Sequence, residues 1–474
     1  MPTISDALAQ FVDRLRLADV PREIRDRAKH LILDALGCAL AARGEAFASR
    51  LAAACAALSG DLPSDGARGV IGFARHLTLR DAAMLNGMLA HGLDYDDTHM
   101  AGIIHLSVSV MPTVLGVCAQ RNDSGATMLA AYIAGLEAGA RIAQAAQGGL
   151  HAQGFHPTGV VGAFASTLAA GRVLGLSAAQ LARAQGTVLS MAGGSLQFLE
   201  DGAWTKRLHP GWAAQCAIVA ATLSAHDVPA PLAAYEGRFG LFNLYLGDVN
   251  RAKVDLSRVT AGITDAGSCS TWEIPNIAVK PFAVCHFSHA CADAAIALHR
   301  SGLDIASIRS IRALVPAATM PVVCEPIAAK RRPQSDYDAK FSLPYAIASG
   351  LLRGRLGLRD LMPAAFNEPA ALALMDRVSC EADAASTFPR HYGGALQVTL
   401  ADGRVIEHHE PVNRGHAERP LVNADVRDKF FENATLHFPR AHAQAICDAV
   451  LAMETLGGVR TLESLLAQDP STVR

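Results

Sequence analysis

Residues 21–43, Pro21-Arg22-Glu23-Ile24-Arg25-Asp26-Arg27-Ala28-Lys29-His30-Leu31-Ile32-Leu33-Asp34-Ala35-Leu36-Gly37-Cys38-Ala39-Leu40-Ala41-Ala42-Arg43, decide the fold class. Proline opens the stretch, where its fixed φ suits a helix start. Apolar residues then recur at Ala28, Leu31, Ile32, Ala35, Leu36 and Leu40, which is the spacing of one helical face. Segments 126–147, 159–174, 178–193 and 211–226 repeat the style, and several are apolar nearly all round, as helices buried in a large helical domain are.

The style changes after about residue 275. Residues 308–315, 376–382 and 395–400 read as strands, and Asp402-Gly403 reads as the turn into 404–407. Helical stretches return at 288–301 and 343–353, and again from Asn423 to the end. The expected fold is mainly α. Both chain ends, 1–275 and 413–474, build a large helical domain, with a smaller α+β lid domain, 276–412, inserted. Gly393-Gly394 and the segment near 262–278 are the expected hinges. No fixed-period repeat marks a helical solenoid.

Composition narrows the function. The chain has 474 residues, a formal net charge of -2 and only 5% aromatics. No basic stripe points to nucleic acid. No apolar run reaches membrane-spanning length, and the charged N-terminus is not a signal peptide. The ten cysteines form no C-x-x-C pair and read as small buried hydrophobes. A cytoplasmic protein without a structural metal is expected. Gly193-Gly194 and the glycines of 148–154 do not follow a strand in the dinucleotide pattern, so no nucleotide site is expected.

The densest polar cluster is His91-Gly92-Leu93-Asp94-Tyr95-Asp96-Asp97-Thr98-His99, at the end of an apolar run. If the helix continues, His91, Asp94 and Thr98 share one face, and a carboxylate beside an imidazole is a means of proton transfer. The plainer alternative is a helix end with solvated acids. His105, His156 and His209 each precede an apolar run, and Pro157 and Pro210 mark helix starts. Helix N-termini attract anions, and Lys206 adds a positive charge. Each histidine alone reads as a cap or packing residue; their recurrence suggests a pocket for a carboxylate-rich molecule. A further group, Lys280 to His289, contains Cys285 and His286 at the entry to the α+β unit. His408, His409 and His416 read as surface residues.

Five stretches carry a resemblance. They are Leu85-Asn86-Gly87 through Ala90-His91-Gly92-Leu93-Asp94-Tyr95-Asp96-Asp97-Thr98, Phe155-His156-Pro157-Thr158-Gly159-Val160-Val161-Gly162, Thr205 to Gly211, Lys280 to His289, and Ala339-Lys340-Phe341-Ser342-Leu343-Pro344-Tyr345. Together with Asp34-Ala35-Leu36-Gly37, they resemble the MmgE/PrpD family over nearly the whole chain. That family includes 2-methylcitrate dehydratase, cis-aconitate decarboxylase and iminodisuccinate epimerase. The resemblance implies a homodimer, no metal or cofactor, and pocket residues at Asp94, Thr98, His105, His156 and Lys206. Of these, Asp94, His105, His156 and Lys206 are the expected catalytic groups. His91, Thr98, His209, Cys285 and His286 are the expected substrate contacts. Two positions depart from the pattern. Leu106 follows His105 where the family often has proline, and Cys285 aligns with a histidine of the decarboxylases. The expected activity is dehydration of a small di- or tricarboxylic hydroxy acid such as 2-methylcitrate. Decarboxylation of cis-aconitate, epimerisation of a dicarboxylate and a non-catalytic interaction role are the alternatives.

Overall fold

The structure, a computed structural model, describes residues 2–60, 66–264 and 267–473. The chain divides into two compact units, Met1–Val279 with Val422–Arg474, and Lys280–Leu421. It is mainly α, with small sheets. No helix among the described residues is long and apolar enough to cross a membrane.

In the first unit the main helices are α1 (Arg22–Ala42), α2 (Leu79–Ala90), α3 (Ser107–Arg121), α4 (Gly125–Ala145), α5 (Pro157–Leu174), α6 (Ala178–Leu189) and α7 (Thr205–Ala225). Their starts follow local chemistry. Thr78, Ser124 and Ser177 cap α2, α4 and α6 by accepting a backbone N–H with the side-chain oxygen. Pro157 occupies the first position of α5, where no intrahelical donor is needed. Helices α4 and α5 are buried on nearly every side, so they form the centre of the unit.

Glycine sets the closest helix crossing. A Cβ on Gly211 of α7 would lie 2.2 Å from the carbonyl oxygen of Met84 in α2, and one on Gly87 would lie 2.9 Å from the Gly211 backbone. Only hydrogens fit between these backbones, so α2 and α7 touch along their main chains. The crossing lies between the His91 end of α2 and the first turns of α7, which carry Lys206 and His209. Strands β1 (Arg68–Val70) and β2 (Phe73–Leu77) form a hairpin, and β3 (Thr98–His99) pairs antiparallel with β4 (Ile277–Ala278).

In the second unit, α8 (His289–Arg300) and α9 (Leu343–Arg353) pack together and α8 lies on a four-stranded sheet. Its strands are β5 (Ile308–Val315), β6 (Val378–Ala382), β7 (Gly394–Leu400) and β8 (Val405–Glu410), in the order β6-β5-β7-β8. Only β5 and β6 run parallel. The β7 burial pattern alternates strictly, as a sheet with one covered face requires.

The chain then returns to the first unit as α10 (Asn423–Ala434) and α11 (Arg440–Leu451). Helix α10 lies against α1, where a Cβ on Gly37 would stand 3.2 Å from Phe430. Lys429 of α10 pairs with the buried Asp34 of α1 at 2.6 Å and donates to the Tyr95 carbonyl at 2.7 Å. Burial of a charge is tolerated when it is paired and hydrogen-bonded in this way.

Three expectations need correction. The helix does not run on from Ala90 to Thr98. His91 caps its C-terminus, Asp94 takes a left-handed backbone (φ 53°), and Thr98 lies in β3. Thus His91, Asp94 and Thr98 do not share a helical face. Pro210 does not start a helix either. Helix α7 begins at Thr205 and carries Pro210 inside it, at the loss of the bond that residue 210 would donate to Lys206. His416 is buried, not on the surface. The expected hinge near 262–278 includes residues 265–266, which lie outside the described residues.

Candidate active site

The turn between α2 and β3 places two buried acids, Asp96 and Asp97, among the histidines. Asp96 Oδ1 lies 2.9 Å from His91 Nδ1, and Oδ2 lies 3.1 Å from His105 Nδ1. The aligned hydrogen bond of His105 Nδ1 goes to the Asp97 carbonyl, at 2.6 Å, so Asp96 Oδ2 is an ion-pair neighbour of that ring. Thr98 Oγ1 stands 3.3 Å from the same nitrogen. Burial opposes the charge on Asp96, yet the two imidazoles hold its carboxyl well below the usual range.

Asp97 differs from its neighbour. It accepts from Ser107 N at 3.4 Å and from Ser107 Oγ, which also meets Tyr132 OH at 2.5 Å. Burial, reinforced by Asp96, pushes the Asp97 carboxyl up to about 8 against those bonds. At neutral pH the pair therefore carries one negative charge, on Asp96.

His156, the N-cap of α5, faces His209 of α7 with their Nδ1 atoms 2.9 Å apart. A Cβ on Gly159 would meet the Gly193 carbonyl at 2.3 Å and His209 at 3.1 Å, so a glycine is what lets α5 come this close. Burial holds His156 well below its ordinary value, with neighbouring positive groups adding to it, and brings His209 down to about 4. Both rings are neutral at neutral pH, so one Nδ1 donates and the other accepts. His91 is likewise held low, by burial above all.

Ring centroids of His91 and His105 lie 4.8 Å apart, and those of His91 and His156 lie 5.6 Å apart. Lys206 Nζ sits 2.8 Å from Asp94 Oδ2, half-exposed at the edge of this cluster, and its charge acts on His91, His156 and His209. The structure therefore brings together His91, Asp94, Thr98, His105, His156, Lys206 and His209 within the first unit. Cys285 and His286 belong to the second unit. There the His286 ring centroid lies 4.6 Å from that of His289, tilted, and 5.9 Å from that of Tyr392, edge-on, and Cys285 N donates to the Lys340 carbonyl at 2.8 Å.

Sequence reasoning did not single out Asp96 and Asp97 as distinct partners. The signal was present in the acid-rich run, but helical spacing assigned it to other neighbours.

One ring nitrogen from each of His91, His105 and His156 lies within 4.8 Å of the others, a spacing that a divalent cation can bridge. In the second unit His391, His416 and Glu418 also converge. There His416 Nδ1 accepts from Glu418 N at 3.1 Å, so the neutral ring carries its proton on Nε2 and its lone pair is already used. That chemistry suits a hydrogen-bonded loop better than a cation site.

A helical unit that buries this many titratable groups around one point has the build of an enzyme site. The pattern of the MmgE/PrpD N-terminal domain matches residues 6–252, and that of the MmgE/PrpD C-terminal domain matches residues 282–455. The chain belongs to the MmgE/PrpD family. It is similar to the cis-aconitate decarboxylase-like protein oryM of Aspergillus oryzae, with 26% identity over 479 residues, covering 98% of this chain and 97% of that one. The cis-aconitate decarboxylase of Mus musculus is 26% identical over 481 residues, covering 98% and 94%. That of Aspergillus terreus is 29% identical over 299 residues, covering 61% and 59%. Family and relatives together identify an enzyme.

Proposed function

We propose that this enzyme is a lyase acting on a small di- or tricarboxylate by proton transfer at a carbon beside a carboxylate. The observation that carries the reading is the convergence of His91, His105 and His156 within 4.8 Å, beside the Lys206–Asp94 pair. Lys206 supplies the charge for a substrate carboxylate. A cation beside that carboxylate stabilises the enolate-like charge formed when the adjacent carbon loses its proton.

For a hydroxy acid such as 2-methylcitrate, a neutral imidazole takes the α-proton and the electron pair becomes the C=C bond. The β-hydroxyl leaves with a proton from a second group, as water. Dehydration uses an acceptor and a donor together, and the site offers both. A second reading is decarboxylation of cis-aconitate, favoured by the names of the relatives. In it the C–C bond to a carboxylate breaks, CO₂ leaves, and the allylic electron pair takes a proton. The same proposal gives residues 276–412 the part of a lid, with Cys285 and His286 as its substrate contacts, and expects a homodimer.

The test is proton NMR in D₂O with 2-methylcitrate, citrate and cis-aconitate. Replacement of the methyl doublet of methylcitrate by a downfield methyl singlet on an alkene supports dehydration. Itaconate from cis-aconitate supports the second reading. Deuterium uptake with no alkene formed means epimerisation, and inertness of all three acids overturns this substrate class.

A further inference from the structure

Asp96 is fully buried and meets two imidazoles with its two oxygens. An ionised carboxylate can only accept, so the proton between Asp96 Oδ1 and His91 Nδ1 belongs to the ring. The Asp97 carbonyl is also only an acceptor, so His105 Nδ1 is protonated independently of Asp96. The two rings therefore depend on Asp96 to different degrees. His105 is fixed by a backbone oxygen as well, whereas the Asp96 carboxylate is the hydrogen-bond partner of His91 among the described residues.

The far nitrogen of His91 completes the picture. Its Nε2 is buried and makes no hydrogen bond in the structure. A buried polar atom without a partner costs free energy and calls for an explanation. We propose that Asp96 is a positioning residue: it locks His91 in the Nδ1–H tautomer and so makes the unpartnered Nε2 a proton acceptor inside the three-imidazole cluster. The inference deepens the acid–base reading above and rests on it for its catalytic part.

The His156–His209 contact follows a different rule. With one Nδ1 donating to the other, one of these two rings must carry its proton on Nε2. The cluster thus holds a fixed acceptor at His91 and a donor Nε2–H in the His156–His209 pair. Proton acceptance and proton donation are sorted among the rings before any substrate arrives. Depressed basicity of His91, caused first by burial, keeps its Nε2 lone pair available at neutral pH.

Asp96→Asn tests this directly. An amide presents one acceptor oxygen and one donor NH₂. Facing His105, the NH₂ would oppose a proton that the Asp97 carbonyl holds in place. Facing His91, it can be accommodated if that ring moves its proton to Nε2. The expected result, read by ¹⁵N NMR of histidine-labelled enzyme, is Nδ1–H at both rings in the wild type. In D96N, His91 becomes Nε2–H and His105 is unchanged. On an acid that the enzyme turns over, kcat should fall by ~10²-fold or more with KM altered less than about threefold, as expected when a proton-transfer step alone is lost.

Three results overturn the proposal. They are a wild-type His91 with its proton on Nε2, a D96N enzyme whose His91 keeps Nδ1–H, and a tautomer switch that leaves kcat intact. If D96N does not fold, the wild-type spectrum alone decides the tautomer. The NMR measurement needs no substrate. Turnover of none of the tested acids, together with the expected tautomers, therefore counts against the lyase reading and leaves the tautomer lock standing.

Discussion

Two buried carboxylates in the helical unit, Glu137 and Asp96, are equally withdrawn from water and are used in opposite ways. Glu137 of α4 accepts from Arg141 Nη1 at 2.7 Å, from Glu273 N at 2.9 Å and from Ile274 N at 2.9 Å. Arg141 in turn donates to the Thr271 carbonyl at 2.7 Å. The contacts to Thr271, Glu273 and Ile274 bind the 271–274 segment to α4, the Arg141 bond lies within α4, and the carboxylate is occupied by its own chain. Asp96 spends its oxygens on two rings that converge with a third, His156. A buried charge is therefore weak evidence for function; what its partners have left over is stronger evidence.

The sharpest way to break this comparison is His105→Ala. Removing a proton-transfer group should lower kcat by ~10²–10⁴-fold, while melting temperature stays close to wild type. Comparable loss of stability and activity would make His105 a packing residue. Glu137→Ala should do the reverse. Breaking one partner out of a buried pair costs ~3–5 kcal/mol of stability, read by urea denaturation, and the folded fraction should keep its kcat.

Lys206→Ala separates binding from structure. Loss of a charge-assisted contact of ~1.5–3 kcal/mol should lower kcat/KM about ten- to a hundredfold without unfolding the protein; unchanged activity would remove Lys206 from the carboxylate site. Gly211→Ala should cost ~1–3 kcal/mol by overpacking, because the new Cβ would sit 2.2 Å from the Met84 carbonyl. A neutral effect there would mean that α2 and α7 can separate freely.

The remaining effects are in pH and are spread over several pH units. His209 is held down at about 4, below its ordinary value, so its neutral form contributes stability that is complete above about pH 6.5 and lost as pH falls through 4. Asp97 is raised to about 8, so its contribution is complete below about pH 4 and lost as pH rises through 8. Each group changes the slope by at most ~1.4 kcal/mol per pH unit. Melting curves from pH 4 to 9 should show His209→Gln flattening the acid limb and Asp97→Asn the alkaline limb.

Much of the fold was legible in the sequence because periodicity reports burial. The face of α1, the long apolar helices and the alternation in β7 all follow directly from residue order. The site was legible in its membership and less so in its local geometry. The helix ends at Ala90, and Asp94 then takes a left-handed conformation that an Asp can adopt, so the chain turns where spacing alone would extend the helix to Thr98. Pro210 is a helix-start signal by preference, yet α7 tolerates it five residues in, since the packing of Gly211 on α2 holds the helix there. The pairing of Asp96 with two rings depends on a turn whose shape no periodicity encodes. His416 is buried beside the Glu418 backbone bond within its own loop and the His391 ring, 5.2 Å away, from the loop between β6 and β7.

Lys429 gives the molecule an order of manufacture. Its ammonium holds Asp34 and the Tyr95 carbonyl between Asp94 and Asp96, and the whole of the second unit lies between Asp34 and Lys429 in the chain. On a ribosome the first unit cannot close around Asp34 until α10 has left the exit tunnel, after the whole of the second unit has been translated. Asp34 then waits as an unpaired acid in a nascent helical bundle. The reactive turn gains this support only once residue 429 has been made, so a chain stopped before it lacks both the pair and the seat of the Tyr95 carbonyl.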